Sequence, residues 1–163
     1  MKTFVNKADF ENAIIFLAEK LKDYDYAIRG TSSLVLSGIA MNVDDIDVVC
    51  DKKTALACNQ ILKEYLVEKV EYRESEKFKS YFGKFKINGI QVEIMGEWEI
   101  LNPKGEWVGP FNGRERMEVE VKGKKVWVTT IEEELKSFMA MGRWNAYHKI
   151  RSQIPLDKQA TAK

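Results

Sequence analysis

Asp45-Ile46-Asp47 opens a run of β-branched residues, and the period of two in a strand sends both carboxylates to one side while Ile46 turns to the other. Two like charges side by side are unfavourable unless solvent or a cation intervenes, and hard carboxylate oxygens at this spacing suit Mg²⁺. Downstream, Val92-Glu93-Ile94 offers a third carboxylate between β-branched residues. Upstream, Gly30-Thr31-Ser32 lies between an expected strand and an expected helix start, where backbone N–H groups, hydroxyls and the helix dipole favour a phosphate. Each segment also has a plainer reading: Asp45 and Asp47 as a solvated loop junction, Glu93 as a solvent-facing strand residue, Thr31 and Ser32 as helix caps. Carboxylates more than about 8 Å apart could not share a pair of metals, so their mutual distance decides between the readings.

The rest of the composition removes other chemistries. His148 is the one histidine, which leaves no imidazole set for zinc and no general base beside a serine or cysteine nucleophile. Cys50 and Cys58 sit in apolar surroundings without Cys-x-x-Cys spacing and read as buried, reduced thiols. With 26 Lys+Arg against 25 Asp+Glu in 163 residues, the formal charge of +1 argues against a protein that coats long nucleic acid. A local patch of Lys77, Lys79, Lys84 and Lys86 would serve at most an RNA end, or be a solvated hairpin face. No stretch of about 18 apolar residues and no signal-peptide pattern is present, so a cytoplasmic protein without a membrane span is expected. Trp98, Trp107, Trp127 and Trp144 are read as core or interface residues.

The elements that must position these residues follow from periodicity. Phe10, Ile14, Leu17, Ala18 and Leu21 predict a helix over about 9–22, and residues 26–29 a short strand. A helix then carries Leu34, Val35, Leu36, Ile39 and Ala40, and Ile46, Val48, Val49 and Cys50 form a second strand. A longer helix is expected over 54–67. Residues 82–87 and 90–95 flank Asn88-Gly89, the dipeptide most diagnostic of a type I′ hairpin turn. Residues 102–116 read as an irregular excursion, and a second hairpin turns at Lys122-Gly123. Thr130 with Glu133 forms a capping-box signature for a helix running to about Ile150. The expectation is one α/β domain over 1–163, a mixed β-sheet flanked by helices, with a polar tail frayed over about 155–163.

Gly30-Thr31, thirteen intervening residues, Asp45-Ile46-Asp47-Val48 and the distant Val92-Glu93-Ile94 resemble the signature of the nucleotidyltransferase superfamily related to DNA polymerase β. The resemblance covers about residues 26–95, with a looser echo over 130–147, where a capped helix is followed by Gly142-Arg143. It implies the nucleotidyltransferase fold, and it implies that Asp45 and Asp47 hold two Mg²⁺ ions that bind a nucleoside triphosphate. Glu93 would bind the second metal and help deprotonate an acceptor hydroxyl. Gly30 would let the backbone approach the triphosphate, with Thr31 or Ser32 donating to its oxygens. Arg29, Lys84 and Arg143 are candidates for neutralising the triphosphate, with an ordinary solvated cation equally open for each. The chain departs from the pattern at Thr31, where Gly or Ser is usual, and at Glu93, where Asp is commoner.

The resemblance therefore implies transfer of a nucleoside monophosphate to a hydroxyl of a small molecule, an RNA end or a protein, with release of pyrophosphate. For so short a chain it implies a homodimer or a partner protein. The alternative is a catalytically silent nucleotide-binding or partner-binding module of a two-protein, toxin–antitoxin-like system.

Overall fold

The computed structural model describes residues 5–154. The expected tail over 155–163 lies outside them. Helix α1 (Lys7–Lys20) is capped by Asn6, whose side chain accepts from the Ala8 and Asp9 amides. It is followed by β1 (Tyr26–Arg29), the short helix α2 (Gly30–Leu36), β2 (Ile46–Cys50) and α3 (Lys52–Ile61). Four strands then come in succession, β3 (Leu66–Glu74), β4 (Phe78–Ile87), β5 (Ile90–Leu101) and β6 (Trp107–Phe111). The hairpin β7 (Arg116–Val121) and β8 (Lys124–Thr129) precedes α4 (Ile131–Ala140) and α5 (Trp144–Arg151).

The strands form one mixed sheet in the order β3-β4-β5-β2-β1-β8-β7, with β6 added to β5. Central β1 and β2 are antiparallel to each other, and each has a parallel neighbour, β8 and β5 respectively. Alternation divides their residues between two faces. Ile28, Ile46, Val48, Val92, Ile94 and Val128 pack with α1 and with Ala55 and Cys58 of α3 in one core. On the opposite face Ala27, Val49, Met95 and Trp98 pack with Phe111 and with Ala140 of α4. A third cluster, Leu34, Leu135, Phe138 and Ile150, joins α2, α4 and α5. Among the described residues no helix is long and apolar enough to cross a membrane.

Both hairpin turns form as the sequence predicts. Asn88 and Gly89 have φ of 53° and 76°, and Lys122 and Gly123 have 48° and 79°, so each pair supplies the positive φ values a type I′ turn requires. Other boundaries differ. The helix expected over 54–67 ends at Ile61, and after a short 3-10 turn Leu66 already pairs with Phe85 in the sheet. Leu66 continues the apolar stripe of α3, yet it and Val67 serve an edge strand and stay exposed. Asn59 ties the two together, its side chain bonding both the amide and the carbonyl of Val70. The helix after Gly30 stops at Leu36, so Ile39 and Ala40 lie beyond it. The excursion over 102–116 contains β6; Pro110 is tolerated there because the strand has a neighbour on one side only. The helix expected to reach Ile150 is broken at Gly142, where φ is +71° and a Cβ would meet the Pro103 ring at 2.9 Å.

Candidate active site

Strand register brings the sequence-predicted carboxylates together. Asp47 of β2 lies beside Glu93 of β5 in the parallel pair and beside Arg29 of β1 in the antiparallel pair. Lys84 of β4 lies on the other side of Glu93. Arg29, Asp47, Glu93 and Lys84 therefore form one rung across four strands, and Asp45 joins it from the segment leading into β2. Carboxylate oxygens of Asp45, Asp47 and Glu93 all lie within 4.8 Å of one another, well inside the limit for sharing metals.

The electrostatics follow from this crowding. Burial pushes the Asp47 carboxyl up to about 8, with Arg29 pulling the other way and the charges of Asp45 and Glu93 pushing further up. Asp45 is raised as well, first by burial and then by Glu93 and Asp44, against the pull of Arg29. One Asp47 oxygen, Oδ2, takes the Arg29 Nη1 at 3.3 Å. The other, Oδ1, is buried with no hydrogen-bond partner. Three crowded carboxylates, raised proton affinity at Asp45 and Asp47, and an orphaned buried oxygen suit an oxygen-preferring divalent cation such as Mg²⁺ or Mn²⁺.

Gly30 has to be glycine here. Its φ is +70°, and a Cβ would stand 3.1 Å from Asp47 Oδ2. Its amide does not point into open space, because it donates to Glu134 Oε1 at 2.7 Å. The Ser32 hydroxyl donates to the Asp45 carbonyl at 3.0 Å and so fixes the segment that presents Asp45. Thr31, by contrast, lines a cavity of about 290 Å³ together with Arg29, Asp47, Glu93, Trp98 and Arg143. Phe78, Phe82, Phe138 and Met141 give the same cavity apolar walls. Lys84 does not line it; its ammonium is turned to within 4.0 Å of Glu68. Arg143 does, with its guanidinium 5.1 Å from the Phe138 ring centre.

Two residues that sequence reasoning did not assign to the site hold Arg29 in place. Trp98, 6% exposed, stacks its ring 4.2 Å from the guanidinium carbon. Glu134, 2% exposed, brings Oε2 to 4.0 Å from Nη2. The signal for Glu134 was present: Ile131, Glu134, Leu135 and Phe138 follow the i, i+3, i+4, i+7 spacing of a buried helix stripe, and one member is acidic. Beyond the Arg29–Trp98 stack lies a larger cavity, about 640 Å³, between the 110–115 segment and the start of α4.

Comparison with known proteins agrees with this geometry. A family model described as aminoglycoside-2″-adenylyltransferase matches residues 14–153. The chain is similar to a Thermotoga maritima protein assigned as a nucleotidyltransferase, with 28% identity and a TM-score of 0.77 over 91% of this chain and 94% of that one. It also resembles the lincosamide antibiotic adenylyltransferase LnuA in its lincomycin-bound structure, with 18% identity and a TM-score of 0.56 over 93% and 100% of the two chains. ANT(2″)-Ia in complex with adenylyl-2″-tobramycin gives 12% identity and a TM-score of 0.53 over 96% and 95%. At these identities the last two likenesses are ones of fold. No curated protein matches the chain by sequence.

Proposed function

The chain belongs to the aminoglycoside-2″-adenylyltransferase family and is a nucleotidyltransferase, and on that premise we propose that it moves a nucleoside monophosphate from a nucleoside triphosphate to a hydroxyl of a small molecule, releasing pyrophosphate. The observation that carries this reading is the convergence of Asp45, Asp47 and Glu93 within 4.8 Å, with Asp47 and Glu93 lining an apolar-walled cavity. Two similar structures hold an antibiotic, in one case already adenylylated, which favours a small-molecule acceptor over an RNA end or a protein.

Asp45, Asp47 and Glu93 would hold divalent cations, which when bound supply Lewis-acid neutralisation of the triphosphate. Glu93, in line with Asp47 on the neighbouring strand, would accept the acceptor's hydroxyl proton. Arg143 and Thr31, both facing the cavity, contribute a charge and a hydroxyl for phosphate oxygens. Arg29 keeps the Asp47 carboxylate oriented rather than meeting substrate freely, since Asp47, Glu134, Met95 and Trp98 surround its guanidinium. Trp98 and the phenylalanines around the cavity exclude water from the reacting centre. The protein would act in the cytoplasm, where nucleoside triphosphates are made.

The test is calorimetric binding of, and pyrophosphate release from, each of the four nucleoside triphosphates with Mg²⁺, over a panel of hydroxylated acceptors, for the parent and for Asp45→Asn/Asp47→Asn. Metal-dependent release that the double variant loses supports the reading. Triphosphate binding without release under every acceptor favours the silent-module alternative, and absence of both binding and release refutes the assignment of the carboxylates.

A further inference from the structure

Glu134 is a fully buried carboxylate that the proposed chemistry does not use. It occupies a core position on α4 next to Leu135 and Phe138, where an apolar side chain of the same volume would avoid desolvating a charge. Its contacts explain its presence. Oε1 accepts from the Gly30 amide and from Thr129 Oγ1, each at 2.7 Å, while Oε2 is buried without a hydrogen-bond partner and faces Arg29 Nη2 at 4.0 Å. Arg29 in turn sets Nη1 3.3 Å from Asp47 Oδ2 and 3.7 Å from Met95 Sδ, with its plane over Trp98. A single side chain from the C-terminal helices thus touches both the Gly30 turn, which is packed against Asp47, and the cation that pairs with Asp47.

We propose that Glu134 is a positioning residue of the carboxylate triad: it shares the charge of Arg29 and holds the guanidinium on Oδ2 of Asp47, leaving Oδ1 and the triad's negative field to a divalent cation. The inference rests on the reading above that Asp45, Asp47 and Glu93 bind such cations. Without the charge of Glu134, the full charge of Arg29 falls on Asp47 and opposes the incoming metal. The carboxylate also pins the Gly30 amide, so the same residue sets how closely the turn approaches Asp47. A purely structural role would need only the two hydrogen bonds to Oε1, and a glutamine supplies an acceptor for both.

The experiment compares Mn²⁺ binding to the intact parent chain and to Glu134→Gln, by electron paramagnetic resonance of free Mn²⁺, with thermal unfolding recorded alongside. Thr129→Val serves as control, since it removes one bond to Oε1, together with the Thr129 contact to the Ser33 hydroxyl, and leaves the charge. The expected result is a Kd for Mn²⁺ raised about fivefold or more in Glu134→Gln, the effect of removing one charge at this range, with Thr129→Val within twofold of the parent. A Kd unchanged in folded Glu134→Gln overturns the proposal, and so does an equal weakening in Thr129→Val, which would make the effect one of packing. Should Glu134→Gln not fold, Glu134→Asp keeps the charge but draws it back by one methylene, and it must also weaken Mn²⁺ binding for the proposal to stand. A parent chain that binds no Mn²⁺ refutes the reading of the triad itself, an outcome separate from a parent that binds and a variant that matches it.

Discussion

Replacing Asp47 by Asn should make the metal-free protein more stable while abolishing its response to Mg²⁺. The size of the gain follows from the spacing. Two unit charges 4.8 Å apart repel by about 3.5 kcal/mol at an effective dielectric constant of about 20, and Asp47 has two neighbours, Asp45 and Glu93, at no more than that separation. Arg29 at 3.3 Å returns about 5 kcal/mol of attraction. The remainder, about 2 kcal/mol of net repulsion, falls to about 1–2 kcal/mol once solvent at the half-buried Asp45 and Glu93 screens it.

That penalty builds up as the unfolded chain loses the Asp47 proton that the folded chain keeps, and it is complete once the folded carboxyl ionises. Its carboxyl is raised to about 8, so between about pH 4 and pH 8 the folded chain holds a proton there that the unfolded chain has lost. Parent stability without metal therefore falls as pH climbs through this window, and the variant lacks this part of the slope. Thermal unfolding in chelator at pH 8.5 should place Asp47→Asn roughly 2–8 °C above the parent, given about 2–4 °C per kcal/mol for a chain of this size. At about pH 4, where folded and unfolded parent both hold the proton, the two should nearly coincide. Adding 10 mM Mg²⁺ at pH 8.5 should raise the parent by about 1.4 kcal/mol if its Kd is near 1 mM, and leave the variant unmoved. A variant less stable than the parent at pH 8.5 that still responds to Mg²⁺ would refute both the repulsion and the metal site.

Four further outcomes are expected. Mg²⁺-induced stabilisation of the parent should be larger at pH 8.5 than at pH 6, because the cation competes with protons on Asp45 and Asp47, both raised; equal shifts at the two pH values would count against a shared site. Arg29→Ala strips the partner from Asp47 and from Glu134 and should lower stability by about 3–5 kcal/mol in urea unfolding at pH 8.5. Gly30→Ala places a Cβ 3.1 Å from Asp47 Oδ2 at a φ of +70° and should cost about 1–3 kcal/mol in urea unfolding and weaken Mn²⁺ binding. Gly96→Ala drives a Cβ to 2.6 Å from that of Ala55, between β5 and α3, and should cost about 1–3 kcal/mol while leaving Mn²⁺ affinity unchanged.

The sequence alone determined whatever depends on neighbours in the chain. Asn88-Gly89 dictates its hairpin because Asn and Gly both take positive φ readily, and in the second turn Gly123 supplies that freedom beside Lys122. Thr130 caps α4 through the Glu133 amide, as the spacing predicts. The alternation of Asp45, Ile46 and Asp47 puts two carboxylates on one side whatever the fold around them, and the order Gly30, Asp45, Asp47, Glu93 carried the family likeness. Limits of elements were harder to read, since Leu66 continues the apolar stripe of α3 yet pairs with Phe85 in the sheet, and the glycine that ends α4 sits inside a pattern that looks helical throughout.

Only the tertiary structure decided that the site exists as one place. Asp47 and Glu93 are neighbours because β2 pairs with β5 in parallel register, skipping β3 and β4, and no local preference specifies that register. It also turned Arg29 from a solvated cation into a clamped one and drew Glu134, more than a hundred residues away, onto the Gly30 amide. The division has a physical cause. Turn geometry and side-chain alternation are fixed by the torsions of adjacent residues, whereas strand pairing and the burial of charge depend on which distant surfaces remove the most apolar area from water together.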